Sequence, residues 1–392
     1  MSLLTPADFQ KMGASEAIPL HQLAAKRMDG RAMPLMPPAG LISSDEKATL
    51  LNWLNAGALP APASEGKCEI SQSDGARTLS QTPHDESYFR NGLIPNPGET
   101  CWELKTHGGQ TAQDTTKYDV HAGEYYEQFY FKVPWGADDV MTRFGAKYDN
   151  VKVLHHWLLF TSSMSASKIG THESVSGSTL GDTSQLIAGW AVGGDHVEFP
   201  ADTGLELTQT GILNMQWHYY NQSESPAPDA TAVQICTVKR NTRKNIGSLT
   251  FLGTENFNGP FGMPAKTRSD FSSTCVNDSG APITIFGFTP HMHQLGVNMR
   301  AEVKRLNGSM EKVFDKPFDF NSQITYMLDT ALVLAPGESI VSTCTFNNTT
   351  AAAVPFGPSS DEEMCYNFTM SYPARALDNG VISLIGATNT CW

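Results

Sequence analysis

Six side chains in this sequence have types and spacings that could do metal chemistry. His291-Met292-His293 lies in the run Gly287-Phe288-Thr289-Pro290-His291-Met292-His293-Gln294-Leu295-Gly296, between an apolar, β-branched stretch (282–288) and an alternating one (297–303). Residues two apart on an extended chain project from the same face, so these imidazoles can grip one ion. His155 and His156 are adjacent within 151–160 (VKVLHHWLLF), and His218 lies within 211–220 (GILNMQWHYY). Adjacent residues of a regular strand point to opposite faces, so sharing one ion requires a twist or bulge at 155–156. Met364 stands in the late run Asp361-Glu362-Glu363-Met364-Cys365-Tyr366. Singly, His218 reads as a satisfied interior histidine and Met364 as core packing. As a set they make two candidate ligand groups.

The elements that would carry them read as β. The 392 residues allow two or three domains with sizeable cores. Gly (33) and Pro (23) are plentiful between short alternating runs of Thr, Val and aromatic residues. Strands are expected at 124–133, 151–160, 211–220, 249–252, 283–288, 298–306, 324–328, 331–334, 339–345 and 365–372, with Asn307-Gly308 as a hairpin turn. The expected fold is all-β: two antiparallel β-sandwich, jelly-roll-like domains at 115–245 and 246–392, divided near 239–245 and preceded by a short helical segment. A formal charge of −13 argues against nucleic acid and otherwise serves solubility. No apolar run is long enough to span a bilayer.

The first 60 residues differ. Ser43-Ser44-Asp45-Glu46 offers a capping box, Leu50, Leu51, Trp53 and Leu54 follow at helical spacing, and Gly57 ends the helix. Residues 61–114 read as a linker and extended segment. Seven cysteines (68, 101, 236, 275, 344, 365 and 391) form no Cys-x-x-Cys pair. Scattered cysteines in a β-rich chain read as disulfides and favour a periplasmic or secreted protein. The opening residues lack the pattern of a secretory leader, so that reading expects the leader to be missing from this chain.

In sequence order, His155-His156-Trp157-Leu158-Leu159-Phe160, Gln216-Trp217-His218-Tyr219, His291-Met292-His293-Gln294-Leu295-Gly296 and Glu363-Met364-Cys365 resemble the copper type II, ascorbate-dependent monooxygenases. That family includes peptidylglycine α-hydroxylating monooxygenase and dopamine β-monooxygenase, and the resemblance spans roughly 115–392. It implies two coppers facing each other across a solvent-filled cleft. His155, His156 and His218 would hold the one that stores and delivers an electron; His291, His293 and Met364 would hold the one that binds O2. The ligand types agree: imidazole suits both copper oxidation states, while a thioether is soft, favours Cu(I) and leaves the coordination sphere open. A structural zinc site would use four tight Cys or His ligands. The resemblance also implies a Cys344–Cys365 disulfide. Cys275 with Cys391 is the next pairing expected, which leaves Cys68, Cys101 and Cys236 with one unpaired.

The implied reaction is hydroxylation of a C–H bond of a small organic substrate by O2 and two electrons. Peptide-hydroxylating members carry an Arg two residues before the His-x-His pair, and an Asn and a Tyr two and four residues after the Met. Here Thr289, Tyr366 and Phe368 occupy those positions, which removes the carboxylate clamp and points away from a peptidylglycine substrate. Met36-Pro37-Pro38, Leu41-Ile42-Ser43 and Trp53-Leu54-Asn55-Ala56-Gly57 resemble the end of a bacterial c-type cytochrome domain, whose axial methionine would fall on Met33 or Met36. No Cys-x-x-Cys-His is present, so haem is not attached to this chain in that way. Ascorbate or a haem domain as cytochrome donor would supply the electrons. A non-catalytic copper-binding protein and an electron-transfer module are the rival readings. His21, His84, His107, His121, His172 and His196 match no motif and are assigned surface or structural roles.

Overall fold

The computed structural model describes residues 8–10, 19–28, 44–59, 79–80, 92–105, 116–175, 184–191, 196–208, 211–258, 261–320, 322–357, 359–384 and 386–392. The chain divides into two compact units, 1–74 and 75–392. In the first, helices α1 (Leu20–Met28) and α2 (Ser44–Asn55) pack Ala25 and Met28 against Leu54 and Ala58. Gly57, at φ +97°, ends α2 where the sequence expects it, in the left-handed conformation that glycine adopts without a steric penalty. Met33, Met36, Cys68, His84 and His107 lie outside the described residues.

The second unit is all-β. Its principal strands are β1 (Thr100–Lys105), β2 (Gly123–Lys132), β3 (Asp139–Lys147), β4 (Leu154–Ser162), β5 (His172–Val175), β6 (Leu186–Ala191), β7 (Thr203–Glu206), β8 (Ile212–Asn221) and β9 (Ala232–Lys239). They continue with β10 (Asn245–Thr254), β11 (Thr267–Val276), β12 (Ile283–His291), β13 (Gly296–Lys304), β14 (Met310–Pro317), β15 (Tyr326–Leu334), β16 (Ser339–Asn348) and β17 (Cys365–Tyr372). One long sheet runs β15-β12-β17-β10-β7-β3-β9-β1. A five-stranded sheet (β5-β2-β8-β4-β6) and a four-stranded sheet (β11-β16-β13-β14) complete the two sandwiches.

The long sheet is a wall common to both. Side chains alternate along a strand, and β10 buries Leu249 and Phe251 in the first core but Leu252 in the second. Strand β17 does the same: Tyr366, Phe368 and Met370 join the first core and Cys365 the second. The pairing of β10 with β17 is close enough that a Cβ at Gly253 would stand 2.0 Å from the Cys365 carbonyl oxygen. Glycine is therefore required there.

Several elements differ from the sequence expectation. Strand β1 lies inside 61–114, expected as a linker and extended segment; Trp102 and Leu104 pack against the first core and draw it into the sheet. The stretches 324–328 and 331–334, expected as two strands, form the single strand β15. Its register against β12 jumps from Leu332 opposite Ile285 to Met327 opposite Gly287, and the intervening Asp329, Thr330 and Ala331 are exposed. Strand β4 begins at Leu154 rather than 151, because a turn from Asn150 to Val153 precedes it. Disulfides join Cys344–Cys365, Cys275–Cys391 and Cys101–Cys236. The last joins residues directly opposed in the β9–β1 register, a relation invisible until the strands are paired.

Asp378, behind β10, accepts a 2.7 Å hydrogen bond from the Thr250 hydroxyl. Burial pushes its carboxyl up to about 6, against the opposing pull of Thr250 and Arg375. The folded state therefore holds a proton that the unfolded chain releases near pH 4, and stability falls as pH rises through that window. Asp378→Asn should be more stable than the parent at pH 7.5 by about 1–2 kcal/mol, with the gain vanishing by about pH 4. Denaturant melts at the two pH values would show it.

Candidate metal centre

Strands β4 and β8 place the first histidine group. Their antiparallel register sets His218 opposite His156 and Tyr219 opposite Leu154, so His155 is the extra residue of a β-bulge. This is the distortion that adjacent histidines need in order to converge. Donor nitrogens of His155, His156 and His218 lie within 4.8 Å of one another, and all three residues are buried. His155 Nδ1 faces His156 Nδ1 at 3.2 Å. His218 Nε2 bonds Glu124 at 2.8 Å and its ring stacks on Tyr126 with centroids 4.2 Å apart. His155 Nε2 and His218 Nδ1 are buried without a hydrogen-bond partner. Orphaned buried nitrogens in a closed trio are the arrangement a bound cation would satisfy.

The second group forms where β12 runs out beside β17. His291 is opposite Tyr366, the last pair of the register, and His293 and Met364 lie just beyond the paired residues on their two chains. His291 Nδ1 is bonded to Gln323 Oε1 at 2.8 Å, and His293 Nδ1 to the Glu362 carbonyl at 3.1 Å. Each ring thereby keeps Nε2 for an ion, and its orientation is fixed by the partner on Nδ1. The Glu363 carboxylate accepts the backbone N–H groups of His293 (2.8 Å) and Leu295. Burial pushes Glu363 up to about 8, with those donors pulling the other way. Gly296 ends the loop where a Cβ would come within 2.6 Å of Met292 Cβ. Met364 is buried and packs with the first core.

Electrostatically the centre favours neutral imidazole, the form that ligates metal. Burial, reinforced by His218 and His291, lowers His155 to about 3; burial takes His291 to about 4 and holds His156 and His293 well below their usual value. Hydrogen bonds from His218 and Ser360 outweigh burial at Glu124 and hold it at about 2.

The two groups are in contact, in place of the solvent-filled cleft implied by the resemblance. The His156 and His291 rings meet edge to face at 5.9 Å, and Phe320 contacts His155 at 4.5 Å and His293 at 6.0 Å. The Glu124–Ser360 hydrogen bond and the common wall tie the halves together. Beside the His156–His291 contact lies a small cavity of about 30 Å³, open to solvent along one side and lined by these rings and by Phe144, Trp190, Leu249 and Phe368. Thr289 also lines it. Tyr366 does not: it is fully buried, and its hydroxyl bonds Glu255. Sequence reasoning missed Glu124, Gln323, Ser360 and Phe320, which carry no motif and meet the histidines only in the fold. A second cluster, Glu99 with Cys101 and Cys236, is committed elsewhere, to the disulfide and an ion pair with Arg143. Of the unmatched histidines, half-exposed His172 bonds Glu127.

Residues 247–383 match the family described as copper type II ascorbate-dependent monooxygenase, C-terminal domain. The chain is 28% identical over 218 residues to a human protein named putative DBH-like monooxygenase protein 2, covering 52% of this chain and 42% of that protein. It is 25% identical over 209 residues to dopamine beta-hydroxylase of Rattus norvegicus, covering 49% of this chain and 33% of that protein. The matched regions thus span less than half the length of these relatives. Among solved structures, peptide: N-glycanase F resembles 70% of this chain and 95% of its own at 9% identity and a TM-score of 0.33, a likeness too slight to carry an argument.

Removing the Nδ1 partner of His291 should loosen one ion and not the other. Gln323→Ala is expected to weaken copper binding at the His291/His293 group by about 10–100-fold, as partners behind metal ligands generally do. The His155/His156/His218 group should be unchanged. Competition against a copper chelator reads the two affinities.

Proposed function

Because the chain belongs to the copper type II ascorbate-dependent monooxygenase family, we propose that it hydroxylates a C–H bond of a small organic molecule using O2 and two copper ions. One oxygen atom enters the C–H bond and the other leaves as water, with two electrons and two protons supplied through a one-electron reductant such as ascorbate. The observation that carries the reading is the pair of buried histidine groups on either side of one contact, with His155 Nε2 and His218 Nδ1 lacking partners.

His155, His156 and His218 would hold one ion, and His291, His293 and Met364 the other. Bound there, copper would supply the redox chemistry and the activation of O2. The chain's own residues do the rest. Gln323 and the Glu362 carbonyl fix the rings of His291 and His293, Glu363 fixes the loop between them, and the Cys344–Cys365 bridge anchors the residue beside Met364. Apolar walls at Phe144, Trp190 and Phe368 would limit the water that reaches the reacting region. Thr289 and Phe368 would line the substrate site, without a guanidinium to clamp a peptide carboxylate.

Three disulfides support folding in an oxidising compartment, periplasmic or secreted. No helix among the described residues is long and apolar enough to cross a membrane. A haem domain as electron donor remains part of the proposal, because the 1–60 segment resembles the end of a c-type cytochrome domain. The domain division proposed is 1–60, 61–114, 115–245 and 246–392, with strand β1 of 61–114 joining the first sandwich and the two copper groups in the last two.

Metal analysis and oxygen uptake test the function together. The parent should bind two coppers and consume O2 only with reductant, with turnover tied to product. His155→Ala should lose one copper, and Met364→Ile should lose coupled turnover by about a hundredfold or more, on the scale of losing one essential interaction. Full coupled turnover in Met364→Ile would reject Met364 as a ligand. Copper binding with redox cycling but no O2 uptake would favour the electron-transfer reading, and binding with neither would favour storage.

A further inference from the structure

The cavity beside the His156–His291 contact contains more information than its location. Among the described residues that line it, none is Asp, Glu, Lys or Arg. Its polar members are already engaged with one another or with the metal centre. Thr289 and Thr325 share a 2.7 Å hydrogen bond. Gln323 uses Oε1 on His291 and donates Nε2–H to the Phe320 carbonyl at 3.1 Å. The remaining lining is apolar or aromatic: Phe144, Leu158, Trp190, Ala191, Leu249 and Phe368. Leu158, Gly189, Ala191, Thr289 and Thr325 are only partly buried, so the cavity meets solvent along their side.

Resting on the monooxygenase reading, we propose that this cavity binds an uncharged, apolar substrate, an arene or alkyl compound, and discriminates against both ammonium and carboxylate analogues of the same skeleton. A charged head group entering here would give up its water and meet no counter-ion, and burying an uncompensated charge is strongly unfavourable. An aromatic ring finds edges and faces of Phe144, Trp190 and Phe368 against which to pack. Specificity here comes from what the walls lack.

Binding can be read on the metal-free, full-length protein, so copper's charge and the oxygenation chemistry do not enter. Ethylbenzene, 2-phenylethylamine (an ammonium at pH 7) and phenylacetate carry the same ring with different charges. Calorimetry and tryptophan fluorescence should show ethylbenzene binding at least tenfold tighter than either charged probe. The fluorescence change should disappear in Trp190→Phe, which lines the cavity. Ala191→Phe, which fills it from the exposed side, should abolish binding while the near-ultraviolet circular dichroism is kept; retained binding would overturn the location. Either charged probe binding as tightly as ethylbenzene to the parent overturns the proposal, as does no ethylbenzene binding up to its solubility. These parent measurements decide the matter even if Ala191→Phe fails to fold. A protein that binds ethylbenzene but shows no reductant-dependent O2 uptake would keep the cavity assignment and reject the reaction.

Discussion

Burial holds the imidazoles of His155, His156, His291 and His293 in their uncharged form within one region, and that constraint governs the centre of this molecule. His156, His291 and His293 lie deep in the protein, and each proton added to one ring raises the cost of adding a proton to its neighbours. A neutral ring still has one donor and one acceptor nitrogen that must find partners. Gln323 and the Glu362 carbonyl meet that need for His291 and His293, and Glu124 meets it for one nitrogen of His218. Nitrogens on His155 and His218 remain without partners.

The convergence of those rings depends on two departures from regular β-structure. The bulge at His155 turns two side chains that should diverge toward one point. The end of β12 lets His293 follow its strand into a loop pinned by the buried Glu363 carboxylate. Each departure sits beside a stretch of regular pairing long enough to fix its place: ten residues of β8 against β2, and seven of β17 against β10. Regular sheet supplies the frame, and its local failure supplies the site.

This explains which features the sequence made legible. His-x-His on an extended segment carries its own geometry, and the adjacency of His155 and His156 announced the need for a bulge. The helix stop at Gly57 and most long strands follow from local pattern. Gln323, Glu124, Ser360 and Phe320 were not legible, because their partners are 32 to 236 residues away in sequence for the three that hydrogen-bond near the histidines. Strands β1 and β3 lack clean alternation, because their faces meet different neighbours. The sequence leaves one of Cys68, Cys101 and Cys236 unpaired without saying which, because nothing local sets Cys101 opposite Cys236.

The common wall gives the centre its mechanical character. Sequence patterning suggests a division near 239–245, yet β10, which begins at Asn245, buries Leu249 and Phe251 in the first core and Leu252 in the second. Strand β17 is placed between the same two cores, with Cys365 bridged to Cys344 on one side and Tyr366 and Phe368 packed on the other. Met364 stands one residue ahead of that strand, so a change in either core is felt at its sulfur. Close packing transmits such shifts rather than absorbing them. The first histidine group lies on the five-stranded sheet and His291 on the long one, so their separation is held by the packing of those two sheets, the Glu124–Ser360 hydrogen bond and the Phe320 ring. Altering that distance requires shifting the five-stranded sheet against the wall.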